Sequence, residues 1–243
     1  MSTTASQRRT FGCILVIGLM IASRTGSASP QEVAEKLAAR GAWAFVNADG
    51  EVLPSGSFTG VPPDSAMTAA ALARRQAFDF RTDDPVLGCG PPGMPRALTA
   101  ASPMTFSWNQ DLLIIRYESM DVTRIVFMDK DAVPPRTPRT PNGYALGRWE
   151  GDMLVIETSH LDDRTQDLLG TPKSDAMTLE ERYALEEIDG ETFLRLDLVM
   201  QDPVYFAEPY VWHLDFVLKP DWELLEYACE ERPAELTPAA VPE

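Results

Sequence analysis

Histidine is the scarcest functional residue of this chain, and its scarcity limits the chemistry that the protein can perform. Only His160 and His213 occur among 243 residues. A multi-histidine metal site is therefore excluded, and a two-histidine site would need carboxylate ligands as well. The sequence also lacks a glycine-rich phosphate loop, a nucleophile elbow and a Cys-x-x-Cys pair. It predicts neither a metal site nor a cofactor.

Basic residues are few compared with acidic ones. Lys and Arg together number 21, against 37 Asp and Glu, so the formal net charge is −16. A surface this acidic repels phosphate backbones and anionic lipid, which argues against nucleic acid as a partner. The charge is typical of a solubilising surface, and an acidic groove that attracts a cationic ligand is the alternative.

Long apolar runs are absent, and the longest one lies near the N-terminus. Residues 11–22 are apolar, but a membrane-spanning helix needs roughly 20 such residues. Arg8 and Arg9 precede this run and the small residues Gly26-Ser27-Ala28 follow it, which predicts a cleavable signal peptide over residues 1–28. The paired arginines also fit a twin-arginine export motif. The sequence therefore predicts an exported, soluble protein, periplasmic or secreted, with no membrane span.

Cysteine is also rare. Removal of the signal peptide would remove Cys13 and leave Cys89 and Cys229. An even pair in an oxidising compartment predicts a disulfide, which would stabilise the fold by about 4–5 kcal/mol through loop entropy. Two buried free thiols are the alternative. A catalytic cysteine is disfavoured because neither residue has a histidine nearby in the sequence.

What the chain does contain is a series of apolar, β-branched segments separated by turns. In residues 143–161, the Gly151-Asp152 step separates a run that ends in Trp149 from one that begins at Met153, which indicates a β-hairpin. The Asp189-Gly190 step indicates a second hairpin. Strands are predicted at residues 43–46, 104–108, 112–118, 122–128, 153–160, 177–187, 193–201, 210–218 and 223–229.

About nine strands with short antiparallel connections predict an all-β fold. A sheet of that length usually closes to hide its edges, so we expect an up-and-down, lipocalin- or calycin-like barrel with room for one small ligand. A β-sandwich is the alternative. Short helices are predicted at residues 30–40 and 64–78, the second capped by Asp64 or Ser65.

The predicted parts of the chain follow from these elements. The signal peptide of residues 1–28 precedes an N-terminal segment, residues 29–103, with the helices, the first strand and a packed loop rich in proline and glycine. The antiparallel β domain of residues 104–232 continues from that segment. Residues 233–243 are predicted to form a disordered tail.

Several motifs within residues 77–231 resemble a widespread family of exported bacterial proteins of unassigned function. They are FDFRTDDPVLGCGPPGMPR, IVFMD, GRWEGDMLVIET, the KSD…ERY run, QDP and PDWELLEYACEE. The resemblance implies export and no established activity. It also implies histidines near Asp131 or Ala132, at Tyr144 and at Lys173, and this chain has none of them. If those histidines bind a metal or transfer protons in the family, this chain has lost that role or works differently.

Charged residues on predicted strands are the leading candidates for a site. Arg124 and Glu181 each stand between apolar residues at alternate positions of a strand, so both are expected to point inward. A charge inside a barrel is costly unless it is paired. The two residues are therefore predicted to form a structural ion pair, which is favoured, or to anchor a ligand.

Three functions from different classes fit this sequence. The leading hypothesis is an exported barrel that binds a small, mostly apolar molecule, with ligand contacts from Arg124, Glu181, Tyr183, Trp149 and Tyr227. The second is an isomerase, lyase or cyclase on the same barrel, in which Glu181, Tyr183 or His160 performs acid–base chemistry. The third is a structural or assembly module of the cell envelope. The sequence does not determine the oligomeric state.

Overall fold

The fold is known from a computed structural model, which describes residues 28–54, 61–129 and 137–229. Nine strands are present there: β1 (Ala42–Val46), β2 (Met104–Asn109), β3 (Leu112–Tyr117), β4 (Val122–Phe127), β5 (Tyr144–Glu150), β6 (Met153–Ser159), β7 (Thr178–Ile188), β8 (Glu191–Gln201) and β9 (Tyr210–Lys219). Four α-helices accompany them: α1 (Pro30–Leu37), α2 (Ala69–Ala77), α3 (Phe80–Asp83) and α4 (Arg96–Thr99). Single 3₁₀ turns lie at Asp64–Ala66 and Ser119–Asp121.

The nine strands form one closed barrel in sequence order. Each strand pairs with its neighbour in the chain, and β1 completes the ring by pairing with β9 from Ala42↔Lys219 to Val46↔Asp215. Closure gives every strand two neighbours, although β1 and β2 share only the register pair Trp43↔Met104. The predicted barrel is confirmed, and the β-sandwich alternative is wrong.

One strand pair departs from the predicted all-antiparallel meander. Strands β4 and β5 are parallel and share two register pairs, Val126↔Ala145 and Phe127↔Leu146. Parallel neighbours cannot be joined by a tight hairpin, and β4 ends at Phe127 whereas β5 begins only at Tyr144. The barrel is therefore mixed, with this single parallel pair.

Both predicted hairpins are confirmed. The Gly151-Asp152 turn joins β5 to β6, and Asp189-Gly190 joins β7 to β8. At the second turn both residues have positive φ, 52° for Asp189 and 85° for Gly190. Positive φ at both central positions matches the right-handed twist of the flanking strands, which explains why this sequence signal was reliable.

The predicted strand at residues 223–229 is wrong. The ninth strand of the barrel is β5, which is the first arm of the predicted Gly151-Asp152 hairpin. Residues 222–229 have no regular secondary structure, and most of their side chains are exposed. Since β9 pairs with β8 on one side and β1 on the other, no sheet edge remains for an additional strand. An apolar alternating segment is a strand only when a partner edge exists.

The predicted helix at residues 64–78 is interrupted. The 3₁₀ turn ends at Ala66, Met67 forms a β-bridge with Phe206, and α2 begins at Ala69. The helix cap is Thr68, whose side chain accepts a hydrogen bond from the backbone N–H of Ala71. The predicted caps Asp64 and Ser65 are wrong because the tertiary bridge at Met67 fixes extended backbone before the helix can begin.

Alternate residues of the strands point into the barrel and form one continuous core. Its buried strand residues include Trp43, Phe45, Met104, Phe106, Leu113, Ile115, Tyr117, Val122, Val126, Ala145, Leu154, Ile156, Leu179, Tyr183, Leu194, Leu196, Leu198, Met200, Leu214 and Phe216. These side chains contribute the main apolar burial of the fold, at about 25 cal/mol per Å² removed from water.

Both ends of the barrel are covered. At one end α1 buries Val33 and Leu37, and two indole N–H groups donate to its backbone: Trp108 to the carbonyl of Ala34 at 3.2 Å and Trp43 to that of Leu37 at 2.9 Å. At the opposite end, residues next to the strand ends turn inward and are buried: Met94, Ala101, Leu161, Met177 and Phe206.

Candidate functional site

The structure brings Arg124 and Glu181 together inside the barrel, as the alternation of their strands predicts. Arg124 Nη1 donates to Glu181 Oε2 at 2.8 Å, and Nη2 donates to Oε1 at 2.7 Å. The side chains are 1% and 0% exposed, respectively. Bidentate pairing is the geometry in which a buried guanidinium and carboxylate compensate best for lost hydration.

Two further side chains, those of Tyr183 and Thr158, belong to this interior cluster. Tyr183 donates its hydroxyl to Glu181 Oε2 at 2.7 Å, and the Thr158 hydroxyl accepts from Arg124 Nη2. The cluster thus connects β4, β6 and β7. Tyr183 also packs edge-on against Phe106, with ring centroids 5.8 Å apart.

Tyr117 lies beside the pair on the same interior face. It is diagonal to Arg124 across β3 and β4, because Ile115 pairs with Arg124 and Tyr117 pairs with Val122. The Tyr117 hydroxyl is buried and lies close enough to the Arg124 and Tyr183 side chains that both affect its pKa. Arg124 Nε is also buried, and it has no hydrogen-bond partner among the residues that the structure describes.

The electrostatics of the cluster keep Arg124 protonated and both tyrosines neutral. Burial alone would lower the pKa of Arg124, but the Glu181 carboxylate raises it above its ordinary value. Burial, and then the charge of Glu181, raises the pKa of Tyr183 well above its usual range. Burial likewise raises the pKa of Tyr117 to about 12. Near neutral pH the cluster therefore holds the charged guanidinium of Arg124 beside two neutral phenols.

The chemistry open to this cluster is limited by its own hydrogen bonds. Both oxygens of Glu181 already accept from Arg124, and one of them also accepts from Tyr183. A general base needs a free lone pair within reach of a substrate proton. Glu181 already accepts three hydrogen bonds and its side chain is 0% exposed, so a substrate proton can reach it only inside the barrel. Tyr183 holds its proton because burial and the charge of Glu181 raise its pKa well above the usual range.

The other predicted site residues lie elsewhere. Trp149 stacks on Trp108 with ring centroids 6.1 Å apart, near the end covered by α1. His160 is exposed just after β6, and its Nδ1 lies 2.8 Å from the hydroxyl of Ser159. Tyr227 is 42% exposed in the irregular C-terminal segment. The roles predicted for these three residues remain predictions, without support from the interior cluster.

Sequence reasoning missed Thr158 and Tyr117 as members of the cluster. Thr158 lies on the same face of β6 as Leu154 and Ile156, and Tyr117 on the same face of β3 as Ile115. The alternation that identified Arg124 would have identified both, had polar residues been followed along every strand.

Lys173, where the resemblance noted in the sequence predicts a histidine, is a second buried charge. Its side chain is 0% exposed, and Nζ lies 2.8 Å from the carbonyl oxygen of Met94 and 3.6 Å from Asp162 Oδ1. Burial lowers its pKa to about 8, although Asp162 acts in the opposite direction. Tyr144, another such position, stacks on Phe127 at 4.9 Å, whereas Asp131 and Ala132 lie outside the described residues.

The disulfide between Cys89 and Cys229 is present, with an S–S distance of 2.07 Å. It ties the loop before α4 to the C-terminal segment, across a sequence separation of 140 residues. That segment has few other described anchors, and one is the Leu225 N–H, which donates to Glu118 Oε2 at 3.0 Å.

A groove at the barrel rim is a further site that sequence reasoning missed. It combines two pockets, of about 400 and 290 Å³, which share Thr178 and Gln201. The larger is lined by Ala176, Thr178, Gln201, Asp202, Pro203, Phe206, Ala207, Glu208 and Pro209. The smaller is lined by Leu146, Glu157, Thr158, Ser159, Thr178, Leu179, Glu180 and Gln201.

Buried hydrogen bonds hold the wall of this rim groove in place. Asp202 is 2% exposed. Its carboxylate accepts from the Ser174 N–H at 2.6 Å and hydroxyl at 2.8 Å, and from the Val204 N–H at 3.0 Å. The Ala207 N–H donates to the carbonyl of Ala66 at 3.1 Å. The loop after β8 is therefore fixed at several points, and the groove that it forms is preorganised.

Among the described residues, no group of three or more His, Cys, Asp or Glu side chains is placed to hold a metal ion. Within the same part of the chain, no helix is both long and apolar enough to cross a bilayer. Comparison with protein-family models, with curated proteins and with solved structures found no match.

Proposed function

We propose that this chain is an exported β-barrel protein that binds a small, mostly apolar molecule in the rim groove. The observation that carries the proposal is the larger pocket. Its volume of about 400 Å³ lies within the 300–1,000 Å³ range typical of small-molecule sites. Five of its nine lining residues are apolar: Ala176, Pro203, Phe206, Ala207 and Pro209.

The polar residues of the groove suit a role in orienting such a ligand. Thr178 and Gln201 lie opposite each other in the β7–β8 register and line both pockets. They offer a hydroxyl and an amide at the centre of the groove, where a few polar groups fix the orientation of a mostly apolar molecule. The Asp202 carboxylate accepts from Ser174, in the segment before β7, and from the backbone of its own loop, so its contribution is to hold the wall.

The groove is a better ligand site than the barrel interior. Side chains from the strands fill the interior core, and the Arg124–Glu181 pair satisfies its own charges there. We therefore assign Arg124, Glu181 and Tyr183 to the stability and register of the barrel. In this proposal the ligand binds in the rim groove and does not contact Arg124, Glu181 or Tyr183.

The enzyme alternative has less support. Glu181 is fully buried in its ion pair with Arg124, and the pKa of Tyr183 is raised well above its usual range. His160 is exposed after β6, with Ser159 as its side-chain hydrogen-bond partner. No described contact joins His160 to a second acid–base residue. The envelope-module hypothesis has no specific observation in its favour.

A fluorescent apolar probe tests the proposal. Binding of 1-N-phenylnaphthylamine should raise its fluorescence in wild-type protein. Ala207→Trp should weaken that binding by at least about tenfold, a loss of about 1.4 kcal/mol, because the indole occupies the pocket. Ala38→Trp is the matched control, since Ala38 is exposed beside α1 at the opposite end. Equal binding by the wild type and Ala207→Trp, or no binding by the wild type, would contradict the proposal.

A further inference from the structure

A separate pocket of about 300 Å³ lies between the C-terminal end of α2, the end of α3 and the loop of residues 163–172. None of its residues lines the rim groove, and its volume is at the lower limit of the range typical of small-molecule sites. This α2 pocket is lined by Arg74, Ala77, Phe78, Asp83, Asp163, Thr165, Gly170 and Pro172.

The loop wall of the α2 pocket is fixed by packing and by hydrogen bonds. Gly170 has a φ of 78° and lies against Phe78, where an added Cβ atom would be 2.2 Å from Phe78 Cγ. Glycine is therefore the residue that fits at this position. The Asp167 carboxylate accepts from the Leu169 N–H at 2.9 Å and from the Thr171 N–H at 3.1 Å. The pocket is thus preorganised on this side.

Arg74 brings a positive charge to the α2 pocket, and within the described chain it forms no ion pair. Its Nη1 donates to the hydroxyl of Tyr205 at 2.6 Å, and its guanidinium carbon lies 5.7 Å from the centre of the Tyr205 ring. These contacts hold the guanidinium in position but do not neutralise it. Its remaining N–H groups can therefore bind an anionic group in the pocket.

Two carboxylates line the same pocket, and neither is paired with a cation among the described residues. Asp83 accepts from the Asp79 N–H and from the Thr82 hydroxyl, each at 2.9 Å, and the first of these bonds lowers its pKa. Asp163 has no hydrogen bond in that part of the chain, although its charge acts on the buried Lys173. Opposite charges therefore line one cavity without pairing with each other.

Thr165 adds an unused hydrogen-bonding group to the α2 pocket. Its Oγ1 atom is buried and has no hydrogen-bond partner in the described ranges. Buried polar atoms are normally satisfied by protein, water or ligand, and a hydroxyl can both donate and accept. A molecule bound in the cavity that Thr165 lines can supply the missing partner.

We propose that the α2 pocket binds a small zwitterion, specifically an α-amino acid with an apolar side chain. Its carboxylate pairs with Arg74, because a guanidinium suits two-point recognition of carboxylates, and its ammonium group pairs with Asp163. A simple anion would meet two aspartates and a simple cation would meet Arg74, so a molecule with both charges complements the pocket best. Apolar surface for the side chain comes from Ala77, Phe78 and Pro172.

Isothermal titration calorimetry with three related compounds tests this proposal. L-leucine carries both charges, N-acetyl-L-leucine keeps only the carboxylate, and L-leucinamide keeps only the ammonium group. At neutral pH, L-leucine should bind the wild-type protein at least about tenfold more tightly than either derivative. Equal affinities for the three compounds, or no heat from L-leucine at millimolar concentration, would overturn the proposal.

Two substitutions assign the charges of the ligand to the two sides of the pocket. Arg74→Gln should abolish the preference for L-leucine over L-leucinamide, and Asp163→Asn should abolish the preference over N-acetyl-L-leucine. A change that only disturbs the fold weakens all three compounds alike and leaves both preferences in place. Arg40→Gln is the matched control, because Arg40 is exposed just after α1. Both preferences persisting in Arg74→Gln and Asp163→Asn would rule out this pocket as the site.

The α2 pocket and the rim groove can be tested independently. Ala207→Trp should bind L-leucine as the wild type does, and Arg74→Gln should bind 1-N-phenylnaphthylamine as the wild type does. Loss of L-leucine binding in Ala207→Trp would place the amino acid in the rim groove and overturn the α2 site. Failure of the apolar probe to bind would contradict the rim groove alone.

Discussion

At Arg124 and Glu181, each charge is tolerable inside the barrel because the other is there. Both side chains are essentially inaccessible to solvent, so the loss of one leaves the other as an uncompensated buried charge. We expect Glu181→Gln to lower the free energy of unfolding by about 3–5 kcal/mol, and Arg124→Met to cost a similar amount. Urea unfolding measures both.

The control for this prediction is a solvent-exposed ion pair with a similar nitrogen–oxygen distance. Lys36 and Glu187 lie 2.7 Å apart with side chains 52% and 51% exposed, and Glu187→Gln should cost less than about 1 kcal/mol. The double variant Arg124→Met/Glu181→Met should cost less than the two single changes combined, since no charge is stranded. Single variants within about 1 kcal/mol of wild type would show that the pair is not buried as described.

Lys173 predicts a pH dependence of stability. Its pKa falls from the ordinary 10.5 to about 8 in the folded chain, through burial and despite Asp162. Between these two values the unfolded chain binds a proton that the folded chain has lost, so the free energy of unfolding rises with pH. Below pH 8 both states are protonated and the contribution is constant.

The measurement is urea unfolding at pH 7 and pH 10, for the wild type and Lys173→Met. The wild type should gain about 2 kcal/mol relative to the variant over this interval. Asp162, Asp163 and Arg164 also act on Lys173, and the variant retains all three, so the difference isolates the lysine. Parallel pH profiles for the two proteins would show that Lys173 is not a buried amine.

Some of these residues could be placed from the sequence and some could not. The Arg124–Glu181 pair was predictable because strand periodicity is local and gives the direction of each side chain. Lys173 was not, because it follows the loop of residues 160–172 and meets Met94, which is 79 residues away in the chain. No periodic pattern extends over such a loop.

At the level of elements, the prediction of a strand at residues 223–229 was wrong. Residues 223–229 and Tyr144–Glu150 both have strand-like sequences, but only Tyr144–Glu150 joins the barrel. The segment that begins at Tyr144 is joined by a tight turn to β6 and pairs with it along seven register positions. Local pairing through a two-residue turn costs little loop entropy, so this segment enters the sheet.

The disulfide holds the segment that the barrel leaves out. The Cys89–Cys229 link closes a loop with a sequence separation of 140 residues, so its removal should lower the free energy of unfolding by about 4–5 kcal/mol on the loop-entropy estimate. Cys89→Ser/Cys229→Ser, compared with wild type in urea, measures the effect. Recovery of two alkylatable thiols from unreduced mature protein would contradict the crosslink itself.

For the whole molecule, sequence periodicity was enough to predict a closed barrel but not a binding site on it. The rim groove draws residues from the segments around Ser159, Thr178 and Pro203. Each segment is unremarkable alone, and the groove exists only once β7 and β8 pair and Asp202 fixes the following loop. The composition of a pocket assembled in this way depends on tertiary positions that single-sequence patterns do not encode.

Native mass spectrometry of the intact protein, recovered from the cells that naturally produce it, tests the ligand-binding account most directly. The account predicts an added mass of a few hundred daltons on wild-type and Ala38→Trp protein, and its loss from Ala207→Trp. Wild-type protein that carries no added mass and takes up no apolar probe, or an added mass that Ala207→Trp retains in full, would contradict it.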